Sequence, residues 1–313
     1  MTNIQGSVSY AKHDGGVFMP KDVQVVATWP ARTFLENIAI DKAGMIFVSV
    51  YSHNRIDRYD PARGLTTAFA VLPAPPMGLA FDASGVLWVT GGKFPEGPGF
   101  VWKIAADGSV QHWSDLPDAP FINGCTLHPD GRTLLACESL TGRILAIDLR
   151  EADRWSAWLT DDLIKPNRPH YPGANGIKIV DGWAWISVSG RALMVRTKLQ
   201  PDGYPGPLET VATHIIGDDF ALGSSGSLYI TTHVEQTLVH IDPAGIRTTI
   251  AGPEQGAVGA TACAFGCTPD DESALYVTTD GGFIVPYENK VQEAKLLRLK
   301  VGETGYALIA NSV

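Results

Sequence analysis

Four oxygen-bearing side chains, Glu36, Asn123, Asn175 and Asp218, occupy one position of an internal repeat. Three of them lie eight residues before a turn glycine, and Asn175 precedes a turn one residue shorter. Met77 holds the same place in a further copy, and Thr261 or Ala262 in the last. If the copies surround an axis, these side chains converge on it. Two converging carboxylates repel unless something positive sits between them. A hard divalent cation with carboxylate and amide ligands meets that need, and calcium suits such flexible oxygen coordination. The ring holds no Cys or His, which argues against zinc or copper. Asn-Gly is also a common turn dipeptide, so either Asn alone can be read as a turn residue. Four oxygen donors at one repeat position favour the metal.

The repeat that places them is an apolar alternating run, an Asp/Ser turn with Gly, then several β-formers. It reads ENIAIDKAGMIFVS from Glu36 and MGLAFDASGVLWVT from Met77. It returns as NGCTLHPDGRTLLAC from Asn123, NGIKIVDGWAWISV from Asn175 and DDFALGSSGSLYIT from Asp218, with a degenerate sixth copy from Thr261. Period-two apolar residues flanking an Asp-x-x-Gly turn predict two paired strands. A third strand follows each pair, such as RIDRYD from Arg55, and a fourth follows most of them. Four antiparallel strands every ~45 residues make one propeller blade. The prediction is all-β: a six-bladed β-propeller in a single domain over residues 1–313, with 1–22 irregular. VQVVATW from Val23 has no hairpin partner of its own, so it is expected to complete the last blade and close the ring. No sustained 3.6-residue apolar period appears, which disfavours βαβ folds.

Composition narrows the function. Lys and Arg number 24 and Asp and Glu 33, giving a net charge of −9 without a basic cluster. Nucleic acid and anionic membranes are therefore poor partners. No signal peptide or long apolar run is read, so the expectation is a cytoplasmic protein, monomeric or weakly oligomeric. The four cysteines form no zinc-type pair and read as reduced thiols. Neither a G-x-S-x-G elbow, nor H-E-x-x-H, nor a phosphate-binding loop occurs, which sets aside covalent serine catalysis and nucleotide binding.

Leu35-Glu36-Asn37, Asn123-Gly124, Asn175-Gly176 and Asp218 before Asp219-Phe220-Ala221-Leu222 together resemble the regucalcin and gluconolactonase family of six-bladed propellers. The resemblance implies one divalent metal ion, calcium, held mainly by Glu36, Asn175 and Asp218. Asn123 would be a further ligand or touch substrate through water, and Asp218 would be the general base of lactone hydrolysis. Members acting on sugar lactones often carry Arg two residues before the third-blade Asn. Here that residue is Phe121, which points toward a lactone with an apolar or aromatic portion.

Loops that leave the second strands should ring the site. They bring His53, the Gly/Pro-rich segment 91–99, Glu138, Arg191, His233 and Asp280, and the loop before blade four adds His170. His53, Phe121, His170 and His233 are the candidate substrate-binding residues. The reading is thus a metal-dependent hydrolase whose partner is a small-molecule lactone. The alternatives are a metal-free synthase-type propeller, a phosphotriesterase, and a ligand-binding propeller without chemistry. Trp88, Trp183 and Trp185 lie in second strands and are expected to fill the space between blades.

Overall fold

The computed structural model of the chain describes residues 17–95, 97–168 and 171–306. Six sheets, each with four antiparallel strands, follow one another around an axis, and chain order runs from the axis outward in all but the two that take an added outer strand from the N-terminal part of the chain. The innermost strands are Leu35–Ile40, Pro76–Phe81, Ile122–Leu127, Ala174–Val180, Phe220–Leu222 and Ala260–Phe265. Blade six is completed by Val23–Ala31, which pairs antiparallel with Glu293–Lys300. Strands from early and late in the chain thus share one sheet, and the ring closes without an open seam. Trp29 of this strand donates its indole N–H to Asp57 at 2.7 Å, tying the closure to blade one.

The segment expected to be irregular through residue 22 departs from that at its described end. Val17–Phe18 pairs parallel with Arg247–Ala251, so blade five has five strands where the others have four. Residues 1–16 lie outside the described part.

The Asp-x-x-Gly turns form as their chemistry requires. Asp41 Oδ1 accepts the backbone N–H groups of Ala43 and Met45, and Gly44 sits at φ +79°, where a Cβ would be strained. The core lies between blades rather than inside any one. Trp88, Val101 and Leu116 of blade two pack on Ile122, Leu134 and Leu145 of blade three, for example. Trp88 is buried as expected, but Trp183 and Trp185 are half-buried, with the Arg196 guanidinium 4.2 and 5.1 Å from their ring centroids. Trp185 still packs on the cluster between blades four and five. Cys125, Cys137 and Cys263 are buried and Cys267 half-buried, all as free thiols. Among the described residues no helix is long and apolar enough to cross a membrane.

Hydroxyl side chains stitch each blade to the next near one end of the channel. Ser49 donates to the Met77 carbonyl, Thr90 to Asn123, Ser187 to Asp218 and Thr231 to Thr261, at 2.6 to 2.8 Å. Thr261 then donates to Leu35 and closes the circuit. Between blades three and four the donor is Ser139 and the acceptor Ala174. The acceptors Met77, Asn123, Asp218 and Thr261 are backbones of the predicted ring position, and Leu35 and Ala174 stand one residue before it. The fold therefore holds those residues from behind, through the blade before.

Candidate metal and substrate site

The inner strands do not begin regularly. The ladder shifts register between Leu35 and Ile38, Pro76 and Leu79, Ile122 and Cys125, Ala174 and Ile177, and Ala260 and Ala262. A bulge re-aims side chains where a regular strand would bury them between blades. Glu36, Met77, Asn123, Asn175 and Thr261 all fall in these bulges, and Asp218 stands just before its strand.

Both amides of the ring are oriented by the residue that leaves the second strand of their own blade. Asn123 Nδ2 donates to Ser139 Oγ at 3.4 Å, and Asn175 Nδ2 to Ser189 Oγ at 3.0 Å. Both serines spend their own proton on a backbone carbonyl, Ala174 and Gly217 respectively, so their oxygens can only accept from the amides. That fixes which way each amide faces and leaves its carbonyl oxygen free of any hydrogen bond from a described residue. In blade five the equivalent residue is His233, whose Nδ1 lies 3.4 Å from Asp218 Oδ2. In blade one it is Tyr51, whose phenol is raised by burial and by the Glu36 charge. Blade six offers Asp280, which has no oxygen donor to orient in its own blade. It turns to His233 instead, 2.8 Å from Nε2.

The acceptors in this ring are unmet. Asp218 Oδ1 accepts from Asn175 Nδ2, but Asp218 Oδ2 is buried without a hydrogen bond. Glu36 is buried as well, and no described side chain donates to its carboxylate. The electrostatics follow. Burial, then the Asp218 charge, push Glu36 well above the usual carboxylate range. Burial raises Asp218 to about 6 against the opposing pull of His233. For His233, burial favours the neutral ring, but the Asp280 hydrogen bond and the surrounding carboxylates outweigh it and lift the imidazolium to about 9. Acidic groups that resist ionising, with an orphaned buried oxygen among them, fit a cation-binding site. The residues that would hold it are Glu36, Asn123, Asn175 and Asp218.

One layer deeper the polar groups are complete. Asp219 accepts from Lys178 Nζ at 2.8 and 2.9 Å and from Asn37 Nδ2 at 3.1 Å. There is no space beside it: a Cβ on Gly176 would stand 2.4 Å from Asp219 Oδ1. Below this plug the channel opens as a cavity of about 320 Å³ lined by Leu79, Phe81, Lys178, Phe265 and Tyr306 among others. That cavity faces the other end of the propeller and does not include the ring.

The structure places the remaining candidates as follows. His53 is exposed, with Nδ1 2.9 Å from Ser52 Oγ, and reaches none of the ring residues. Phe121 is half-buried beside the ring and stacks on Phe94. His170 lies outside the described residues. Glu138 is fully buried and accepts from the Leu140 and Thr141 backbone, and Arg191 Nε donates to the Lys165 carbonyl. Both hold loops and face away from the ring. Sequence reasoning missed Tyr51, Ser139 and Ser189. The signal was present: the repeat that aligns the turn glycines also aligns these three with His233 and Asp280. A separate group, His112, Asp115 and Asp153, brings ligand atoms within 4.8 Å of one another, but all three are exposed on outer strands and loops.

No family model matches the chain, and no curated protein does. Solved structures do. A luciferin-regenerating enzyme aligns with TM-score 0.70 and 15% identity over 92% of this chain and 98% of its own. Regucalcin from Agrobacterium tumefaciens, a calcium-binding protein, gives 0.66 and 20% over 94% and 100%. The chain has the fold of the regucalcin and gluconolactonase propellers. A protein assigned as a gluconolactonase aligns at 0.65 and 14% over 93% and 96%. At these identities the likeness is one of fold, and function has to be argued from the site.

Proposed function

We propose that this propeller is a divalent-metal-dependent lactonase, with calcium as the metal. The observation that carries the reading is the ring itself. Two amides are oriented by serines that leave their own second strands, Asp218 Oδ2 is buried without a hydrogen bond, and no described side chain donates to Glu36. A bound divalent cation supplies Lewis acidity to a carbonyl oxygen and stabilises the negative charge that develops there.

The chain supplies the rest. Asn175 fixes the Asp218 carboxylate through Oδ1, so Oδ2 keeps one direction. From there it can take the proton of an attacking water. His233 lies against the same oxygen and is held by Asp280, which is itself fixed by the Gly282 and Ile284 backbone N–H groups. As an imidazolium it offsets the carboxylate charge of the pocket and stands within reach of a departing alkoxide. The Asn37–Asp219–Lys178 plug closes the floor.

The regucalcin and gluconolactonase neighbours support this reading by fold. The test is hydrolysis of a panel of aliphatic, aromatic and sugar lactones, followed by acid release. Turnover of at least one lactone is expected, lost on chelation and restored by calcium. A metal-loaded protein inert across the panel overturns it.

A further inference from the structure

The residues just outside the oxygen ring share one chemical character. Two positions before each ring residue stand Phe34, Pro75, Phe121, Gly173, Ile216 and Gly259. In five blades the backbone carbonyl of this residue accepts from the N–H of the residue that leaves the second strand, for example Phe34 from Tyr51 and Phe121 from Ser139. The position is therefore structurally equivalent around the axis, and none of its occupants carries a polar side chain. A site for a polyhydroxylated ring needs donors and acceptors at this height, because hydroxyls buried without partners lose their hydrogen bonds to water and gain none.

The two phenylalanines build separate aromatic walls, Phe34 where blade one meets blades five and six and Phe121 where blade three meets blade two. Phe34 meets His233 edge-on at 5.4 Å, Tyr51 at 5.4 Å and Phe283 at 5.6 Å. Phe121 stacks on Phe94 with centroids 4.1 Å apart and planes 20° from parallel. Phe94 comes from the 91–99 loop and Phe283 from the loop that Asp280 and Gln236 anchor. Both stay about two-fifths open to solvent, at 37% and 38% exposure, and Leu140 at 38% and Ile284 at 57% extend the same apolar rim. Large apolar side chains kept exposed around a polar centre mark a surface that an apolar ligand covers.

Resting on the lactonase reading, we propose that Phe94 and Phe121 face Phe34 and Phe283 as a clamp that selects lactones fused to a flat aromatic ring. The ring ester points to the oxygen donors, and the arene lies between the two walls. Phe94 and Phe34 thus join Phe121 as specificity-determining residues.

The test separates binding from turnover. With calcium supplied, kcat/KM is measured for dihydrocoumarin and for glucono-1,5-lactone. Binding of the lactam 3,4-dihydroquinolin-2-one, which is not hydrolysed, is measured by calorimetry. The parent is expected to favour dihydrocoumarin. Phe94→Ala and Phe121→Ala are each expected to lower the dihydrocoumarin-to-gluconolactone ratio at least about tenfold, through KM, and to weaken lactam binding in proportion. Phe121→Arg is expected to lower the ratio further. An unchanged melting temperature in each variant excludes misfolding, and a variant that melts early is replaced by Phe94→Ser, at an exposed position. Turnover of lactones with a ratio that the variants leave unchanged overturns the clamp and spares the lactonase. Lactam binding that depends on Phe94 and Phe121, with no lactone turned over, overturns the lactonase and spares the clamp.

Discussion

Asp218 and Asp219 are adjacent in sequence and opposite in circumstance. Asp219 is fully supplied, with a lysine ammonium on both oxygens and an amide on one. Asp218 has one oxygen held by Asn175 and the other buried without a donor. The difference separates two layers of the axis. The deeper layer is a finished hydrogen-bonded plug, whose removal should be felt as lost stability. The outer layer is a set of acceptors awaiting a partner, whose removal should be felt as lost function. Charge and burial alone do not tell them apart, since both carboxylates are buried. Satisfaction of each oxygen does.

The sharpest way to break the comparison is to make the same change in both layers. Asp218→Asn keeps an oxygen for a cation but cannot accept a proton. It is expected to lower kcat about 10²–10⁴-fold while leaving the melting temperature near that of the parent. Asp219→Asn leaves the Lys178 ammonium buried without its charge partner, which typically costs about 3–5 kcal/mol. At ~2 cal/mol/K per residue that lowers the melting temperature by roughly 5 °C or more. A Lys178→Met, Asp219→Leu double variant is expected to recover most of that loss, because both charges go together. If Asp218→Asn melts early and Asp219→Asn does not, the two layers have been assigned the wrong way round.

How much of this was legible beforehand depends on what each feature is made of. The blades were legible because a period-two apolar pattern with an Asp-x-x-Gly turn is local, and its recurrence is visible in one chain. The ring was legible for the same reason: Glu36, Asn123, Asn175 and Asp218 occupy one repeat position, and the structure places all four in the same layer. The N-terminal strand in blade six was legible by elimination. The Lys178–Asp219–Asn37 plug was not: Asn37 and Asp219 share the repeat position after the ring residue, but the lysine that completes it comes from blade four, two positions further on. Nor was the Phe94–Phe121 stack, which depends on the path of a loop. His53 and His233 show the limit most plainly. Both are histidines just past a second strand, but His233 is the first residue of its short 3-10 turn and His53 the last. That two-residue offset sends one to Asp218 and the other to solvent.

A cation should act on the outer layer alone, which gives a thermal and a pH signature. Ligand at a hundredfold excess over Kd stabilises by about 2.7 kcal/mol, or about 4 °C for a chain of this length. Asp218 titrates near 6 in the folded protein against 3.8 for a free carboxyl, so the native state holds the extra proton across that window. The metal-free protein therefore loses stability as pH rises from about 4 to about 6, and Glu36 acts in the same direction. His233 continues the loss between 6.5 and about 9 as its proton departs. Calcium replaces the carboxyl protons. Its melting-temperature gain is expected to be small near pH 5 and to reach its full size above about pH 7. A gain that is equal at both pH values would mean that the ion binds elsewhere.

The smallest effects should come from the serines that orient the amides, and their order is fixed by geometry. Ser189 accepts from Asn175 at 3.0 Å, and Asn175 in turn holds Asp218. Ser139 accepts from Asn123 at 3.4 Å, and Asn123 holds no other ring residue. Removing either hydroxyl also frees a backbone carbonyl, at Gly217 or Ala174, so some loss of stability accompanies both. Groups that orient ligands typically contribute about 10–100-fold to metal affinity, and Ser189→Ala is expected within that range. Ser139→Ala should cost less, about a few-fold, because its longer contact restrains the amide weakly. Calorimetric titration with calcium checks the order. Affinity and kcat should fall together for Ser189→Ala, since the same amide steers both the ligand set and the Asp218 carboxylate. Loss of calcium affinity without loss of kcat at saturating calcium would show that Asn175 serves the metal and that Asp218 keeps its direction without it.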